Sequence, residues 1–186
     1  MARTPSNMLA LGTQAPNFLL PNTIDSKAYS YDNISGAKGT VVMFICNHCP
    51  YVIHVLEGIV AMAKDYQYSG IGFVAISSND VVNYPSDDPV FMKKTAEKYI
   101  FTFPYLYDET QDVAKKYKAE CTPEFYLFNQ NRKLVYRGRM DETSPGSNTA
   151  PSAKDLRVAI KSLLMNQPIS DEQFPSMGCN IKWKVS

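Results

Sequence analysis

Five apolar residues in unbroken succession, Val41, Val42, Met43, Phe44 and Ile45, predict a strand buried on both faces, since a half-solvated strand would alternate with polar positions. After Pro50 the period changes. Val52, Leu56, Ile59, Val60, Ala63 and Tyr66 recur at offsets of 4, 7, 8, 11 and 14 from the first, which is one face of an amphipathic helix. Pro50 near its start sacrifices no needed hydrogen bond, and Gly70 is the expected stop. A second buried strand follows at 71–76, then a loop of turn formers over 79–89. A helix over about 90–100, a short strand at 105–107 and a brief helix over 111–118 come next. Residues 125–128 and 134–137 flank the polar turn Asn129-Gln130-Asn131-Arg132 and predict a hairpin. Leu156, Ile160, Leu163 and Leu164 mark a last helix, with Ser152 as its expected cap. Ahead of all this, short runs at 15–21 and 28–31 around Asn22, Asp25 and Ser26 predict another hairpin. The tail, 167–186, shows no period.

Buried strands alternating with helices, closed by a hairpin and a terminal helix, give an α/β class. The expected architecture is a mixed central sheet flanked by helices on both faces, with an N-terminal β-hairpin extension. A length of 186 residues suits one domain, with 1–14 as an N-terminal arm and 167–186 as a C-terminal tail. Lys and Arg number 19 against 18 Asp and Glu, and the formal charge of +1 supplies no footprint for nucleic acid or anionic lipid. No apolar run reaches the ~18 residues that span a bilayer. Residues 1–18 lack the pattern of a secretory signal, so a cytoplasmic location is expected.

Four cysteines, Cys46, Cys49, Cys121 and Cys179, are too few for a disulfide scaffold. Cys46 and Cys49 have only Asn47 and His48 between them, follow a buried strand and open a helix. Free N–H groups and the positive dipole end at a helix N-terminus favour a thiolate. A cysteine there can fall from about 8.5 to between roughly 3.5 and 7.5. Cys46, expected at the exposed lip of the turn, reads as the attacking sulfur. Cys49, a turn further in, reads as the thiol that resolves a mixed disulfide. His48 would favour the Cys46 thiolate and make the disulfide more oxidising. Two other uses of the pair stay open: a copper or zinc site formed by Cys46, Cys49 and a histidine, and inert core cysteines. His54 reads as a helix-surface residue. Tyr51 and Tyr84 are the aromatics expected near the site mouth.

A strand, Cys46-Asn47-His48-Cys49-Pro50 opening a long helix, and Thr122-Pro123 ahead of another strand together resemble the thioredoxin superfamily over about residues 15–165. More narrowly the chain is similar to the peroxiredoxin-like group related to alkyl hydroperoxide reductase and thiol-specific antioxidant proteins. That match is carried by Phe44 through Val52, by Cys121-Thr122-Pro123-Glu124-Phe125, and by Gly178-Cys179-Asn180-Ile181-Lys182-Trp183. The resemblance implies a thioredoxin-like fold, a cis bond before Pro123, and a Thr122 backbone offered to an extended substrate. Two departures count against a full peroxiredoxin. Cys49 is followed by Pro50 as the peroxidatic residue would be, but Cys46 takes the family's Thr position and Val42 its upstream Pro. The family's peroxide-polarising Arg is missing near Pro123, and a leaving oxygen needs such donors.

The reading of the chain is a thiol–disulfide oxidoreductase in antioxidant or thiol-redox defence. Cys46 and Cys49 are the redox pair, His48 tunes them, and Thr122 and Pro123 bind substrate. Cys121 and Cys179 are candidate auxiliary thiols, in a relay that pairs them with each other or feeds them from Cys46. No cofactor is called for, since the cysteines hold the two electrons. The expected partners are a protein or small-molecule disulfide and an upstream thiol reductant such as a thioredoxin or glutathione system. A thiol peroxidase is the main alternative.

Overall fold

The computed structural model describes residues 3–185. Its central sheet is built on β4 (Gly39–Phe44), all six of whose residues are buried. The strands before β4 are β1 (Arg3–Pro5), β2 (Leu19–Pro21) and β3 (Ala28–Ser30), the last two forming the expected hairpin. β5 (Ile71–Ser77) and β6 (Tyr105–Tyr107) run parallel to β4, while β7 (Cys121–Thr122) lies outside this sheet. β8 (Glu124–Asn129) and β9 (Leu134–Gly138) close it antiparallel, giving the order β6-β5-β4-β8-β9.

Side chains of β4 point alternately to two cores, as a pleated strand requires. Val41 and Met43 face a core shared with α2 (Pro50–Tyr66) and α3 (Pro89–Tyr99) and with Leu156 and Ile160 further along the chain. Val42 and Phe44 face a second core formed by α1 (Tyr31–Ile34) and α4 (Asp112–Tyr117). Both faces are therefore covered. That explains the unbroken apolar run. None of the helices among the described residues is long and apolar enough to cross a membrane.

Several local expectations change. Tyr31 starts α1 instead of extending the strand, because Ser30 and Asn33 form a reciprocal capping box. The last helix, α5 (Lys154–Leu164), is capped by Ala153, not by Ser152. Its entry is held by Asp141, whose carboxylate accepts from the Ser152 N–H at 2.8 Å and the Ala153 N–H at 2.7 Å. After α2 a short 3₁₀ turn intervenes before Gly70, whose φ of +89° suits glycine. The aperiodic tail also contains a strand, β10 (Met177–Asn180). β10 lies between β1 and β7 in a separate three-stranded sheet, so the arm and tail are stitched together. Beyond it, Lys182 donates its N–H to Asn79 Oδ1 at 2.8 Å and accepts from Gln111 at 2.9 Å.

Candidate active site

β4 ends at Phe44 and α2 starts at Pro50, so Cys46 lies in the connection and Cys49 is the N-cap of the helix. The connection is rigid. Ile45 donates to the Ile76 carbonyl at 3.0 Å, and the Asn47 amide group donates to the Ser86 carbonyl at 2.9 Å. The Asn47 side-chain oxygen accepts from Tyr105 at 3.2 Å. Thr122-Pro123 closes the site from above, with its peptide bond cis as the resemblance implies. Both sulfurs are shut off from water, Cys46 at 1% exposure and Cys49 at 0%. The expectation that Cys46 sits on an exposed lip is thus wrong. The loop after β5 folds over it, and Thr122 lies against it, with Oγ1 at 3.3 Å from its sulfur.

The two sulfurs differ in their surroundings. Cys46 interacts first with the Cys49 sulfur, is desolvated, and faces the Asp87 carboxylate; all three push its thiol well above the ordinary range. Asp87 is fully buried. Burial works against its charge, but His48, Asn79 and the Asn47 N–H outweigh that and hold it below the usual carboxylate value. Asn47 N–H donates to Oδ1 at 2.7 Å, Asn79 to Oδ2 at 2.7 Å, and His48 Nδ1 approaches Oδ2 at 2.6 Å. The His48 contact is ionic in character, off the line of a well-formed hydrogen bond. Asp87 raises the His48 pKa, and the ring lies parallel to Tyr84 with centroids 5.8 Å apart. His48 therefore does not act on Cys46 as a lone cation; it arrives paired with a carboxylate of opposite effect.

Cys49 is lowered to about 5. Its interaction with Cys46 is the largest cause, burial opposes it, and the Cys179 thiol with the N–H groups of Val52 and Cys179 adds to it. The sulfur closes no capping hydrogen bond on α2, but the free N–H groups of the first turn favour its charge. Cys179 Sγ lies 2.8 Å away, and the Thr122 carbonyl 3.3 Å away. These surroundings favour the charge on Cys49 over Cys46, the reverse of the order expected from the sequence.

The other candidates separate cleanly. Cys179 stands in register with Thr122 and Cys121 with Asn180, so Cys121 points to the opposite face of this small sheet from Cys179. The two do not pair. Cys121 instead lies near the Pro123 carbonyl and Glu124, and burial drives its thiol upward. The Thr122 backbone, expected to face an extended substrate, is lined by β10. His54 sits away from the sulfurs, with Nε2 at 2.9 Å from Thr143 Oγ1. With Tyr51, Pro123 and Met177 it borders a cleft of about 170 Å³ that also presents Arg3 and Arg139.

Three participants escape sequence reasoning. Asp87 and Asn79 sit in a loop read only as turn formers, and no spacing links them to Cys46. Glu124 is buried at the start of β8, where it accepts from Tyr126 at 2.7 Å and the Glu120 N–H at 3.0 Å; burial raises it to about 7. Its position just after Pro123 is the only sequence signal. Among the described residues, the group able to hold a metal ion is Cys46, His48 and Asp87, with ligand atoms within 4.8 Å of one another. That set leaves out Cys49, and Asp87 already accepts from the Asn47 N–H and the Asn79 amide. The chemistry this arrangement suits better is a thiolate beside two thiols.

The AhpC/TSA family model matches residues 11–137. No curated protein sequence matches the chain. An uncharacterized conserved protein from Geobacillus kaustophilus is 48% identical, with a TM-score of 0.98, covering 100% of this chain and 98% of that one. A hypothetical protein from Sinorhizobium meliloti 1021 is 37% identical, with a TM-score of 0.96, covering 98% of this chain and 100% of that one. A putative thiol:disulfide interchange protein DsbE from Chlorobium tepidum is 17% identical with a TM-score of 0.65, over 84% of this chain and 99% of that one, a likeness of fold alone. The fold is thioredoxin-like, and the chain belongs to the AhpC/TSA family.

Proposed function

We propose that the protein is a thiol–disulfide oxidoreductase cycling Cys46 and Cys49 between dithiol and disulfide, with Cys49 as the attacking thiolate. The observation that carries this reading is geometric: Cys46 and Cys49 stand at the strand-to-helix junction, Cys49 as the N-cap of α2, with Thr122 against both sulfurs at 3.3 Å. The lowered Cys49 thiol agrees with it. Cys49 attacks one sulfur of a disulfide, bonds to it and expels the other half as a thiolate. Cys46 then attacks the Cys49 sulfur. It gives its proton to the second departing half, leaving the Cys46–Cys49 disulfide for an upstream thiol reductant to reopen. The cytoplasmic location expected from the sequence belongs to the same proposal.

The test is reduction of bis(2-hydroxyethyl) disulfide by dithiothreitol, with and without the protein. Wild type accelerates it and Cys49→Ser does not; equal rates for the two would overturn the reading. A stabilised Cys49 thiolate also favours the reduced form, so the Cys46–Cys49 potential is expected to be less negative than the roughly −270 mV of thioredoxin.

The same thiolate supports a second reading, because Cys49 precedes Pro50 where the family's peroxidatic cysteine would stand. Cys49 would take the terminal oxygen of a hydroperoxide and release an alcohol, or water where the substrate is hydrogen peroxide, and a neighbouring thiol would condense with the sulfenic acid to release water. Stopped-flow oxidation by hydrogen peroxide far faster than that of a free thiol would favour this reading over disulfide exchange.

A further inference from the structure

The two-sulfur cycle leaves Cys179 unused, although it lies 2.8 Å from the sulfur at the centre of that cycle. Its position is built, not incidental. β10 is paired on both sides, Cys179 standing opposite Arg3 in β1 and opposite Thr122 in β7. The strand fits so closely that a Cβ on Gly178 would collide with the Thr122 carbonyl oxygen. The contact is also dry, with Cys49 at 0% and Cys179 at 5% exposure. Burial first, then Cys49, holds the Cys179 thiol protonated, pushed up to about 12. Cys179 thus stands to Cys49 as Cys46 does, a protonated thiol beside a thiolate. Cys121, on the next strand, faces away and offers no such contact.

We propose that Cys179 is a second resolving thiol, so that Cys49 closes a disulfide with either Cys46 or Cys179 and the bond migrates between them. The proposal rests on Cys49 being the attacking thiolate, as argued above. In the mixed disulfide of Cys49 with half of a substrate, the Cys179 sulfur attacks Cys49 Sγ. The bond to the substrate breaks, and the Cys179 proton passes to the departing thiolate. One substrate disulfide has become two thiols, and two protein thiols have become one disulfide. Migration then needs no further oxidant. Cys46 attacks Cys49 Sγ, the Cys49–Cys179 bond breaks, and the proton lost by Cys46 ends on Cys179.

The experiment uses the full chain, reduced, treated with excess bis(2-hydroxyethyl) disulfide, quenched in acid, alkylated and mapped by mass spectrometry. Wild type is expected to give both Cys46–Cys49 and Cys49–Cys179 peptides. Cys46→Ser and Cys46→Ala are expected to give Cys49–Cys179 as the main product, and Cys179→Ser only Cys46–Cys49. Gly178→Ala, which pushes β10 off the Thr122 carbonyl, should lower the Cys49–Cys179 yield several-fold and leave Cys46–Cys49 unchanged. If both Cys46 variants retain the probe on Cys49 with Cys179 alkylated, while wild type makes Cys46–Cys49, the third thiol is overturned alone. If wild type makes neither bond, the oxidoreductase reading falls with it.

Discussion

On one side of the dithiol, the loop between β5 and α3 brings the Asp87 carboxylate to Cys46; on the other, β10 brings the Cys179 thiol and N–H to Cys49. Asp87 and Cys179 are both buried, and both press on a sulfur that has no water to answer with. One supplies a negative charge and the other supplies donors. The contact between the two sulfurs does most to split the pair, one thiol raised and one lowered, and Asp87 and Cys179 push the same way, although only two residues separate the cysteines. Position relative to a helix end sets a starting value; what the rest of the chain lays against each sulfur decides which one ionises.

The largest expected effect tests which side carries the reaction. Cys49→Ser should drop disulfide exchange to the uncatalysed rate, because the ionised sulfur is gone. Cys46→Ser should retain the first attack, visible as release of one thiol per chain, with a second released as Cys179 resolves the mixed disulfide. Equal loss of that first step in both variants would break the comparison.

A second test extends it to Cys121, whose neighbour is Glu124. A carboxyl raised from 4.5 to about 7 in the folded state, at 1% exposure, corresponds to about 3 kcal/mol. Since the folded protein holds the extra proton, that stability is fully present below about pH 4.5 and is lost as the pH rises to about 7. Urea unfolding of Glu124→Gln should lack this component of the slope. An unchanged slope would place the carboxyl in a more solvated setting than the structure gives it.

Asp87→Asn sharpens the first side. Without the carboxylate, the Cys46 thiol should fall, and the His48 pKa should fall back toward the ordinary imidazole value. Both shifts are readable by NMR titration. A rise at Cys46 would mean that His48, not Asp87, governs it. The smallest effect belongs to Thr122→Val, which removes the hydroxyl 3.3 Å from Cys46. Its loss should raise the Cys46 thiol and change the free energy of reducing the Cys46–Cys49 disulfide by under about 1 kcal/mol.

Much of the frame was legible in the sequence because local pattern dictated it. The run at 41–45 and the period after Pro50 needed only burial on two faces of a sheet and one of a helix, and they placed Cys46 and Cys49 at the strand-to-helix junction. The polarity of the pair was not legible. Beyond the contact of the two sulfurs themselves, it depends on Asp87 and Cys179, which approach from 41 positions beyond Cys46 and 130 beyond Cys49, through a loop and a tail that carry no period. β10 escaped because a strand of four residues containing a glycine has too little pattern, and its partners β1 and β7 are shorter still. His48 was visible, but its meaning was not, since the carboxylate that pairs with it is remote in the chain.

The central claim is that Cys49 and not Cys46 carries the charge, and the cysteine ¹³Cβ shifts of the reduced, selectively labelled protein report it without requiring access to the buried sulfurs. Followed from pH 4 to pH 9, the Cys49 signal should titrate near about 5 while Cys46 stays protonated throughout. A Cys46 signal that titrates first, with Cys49 unmoved, would contradict the account.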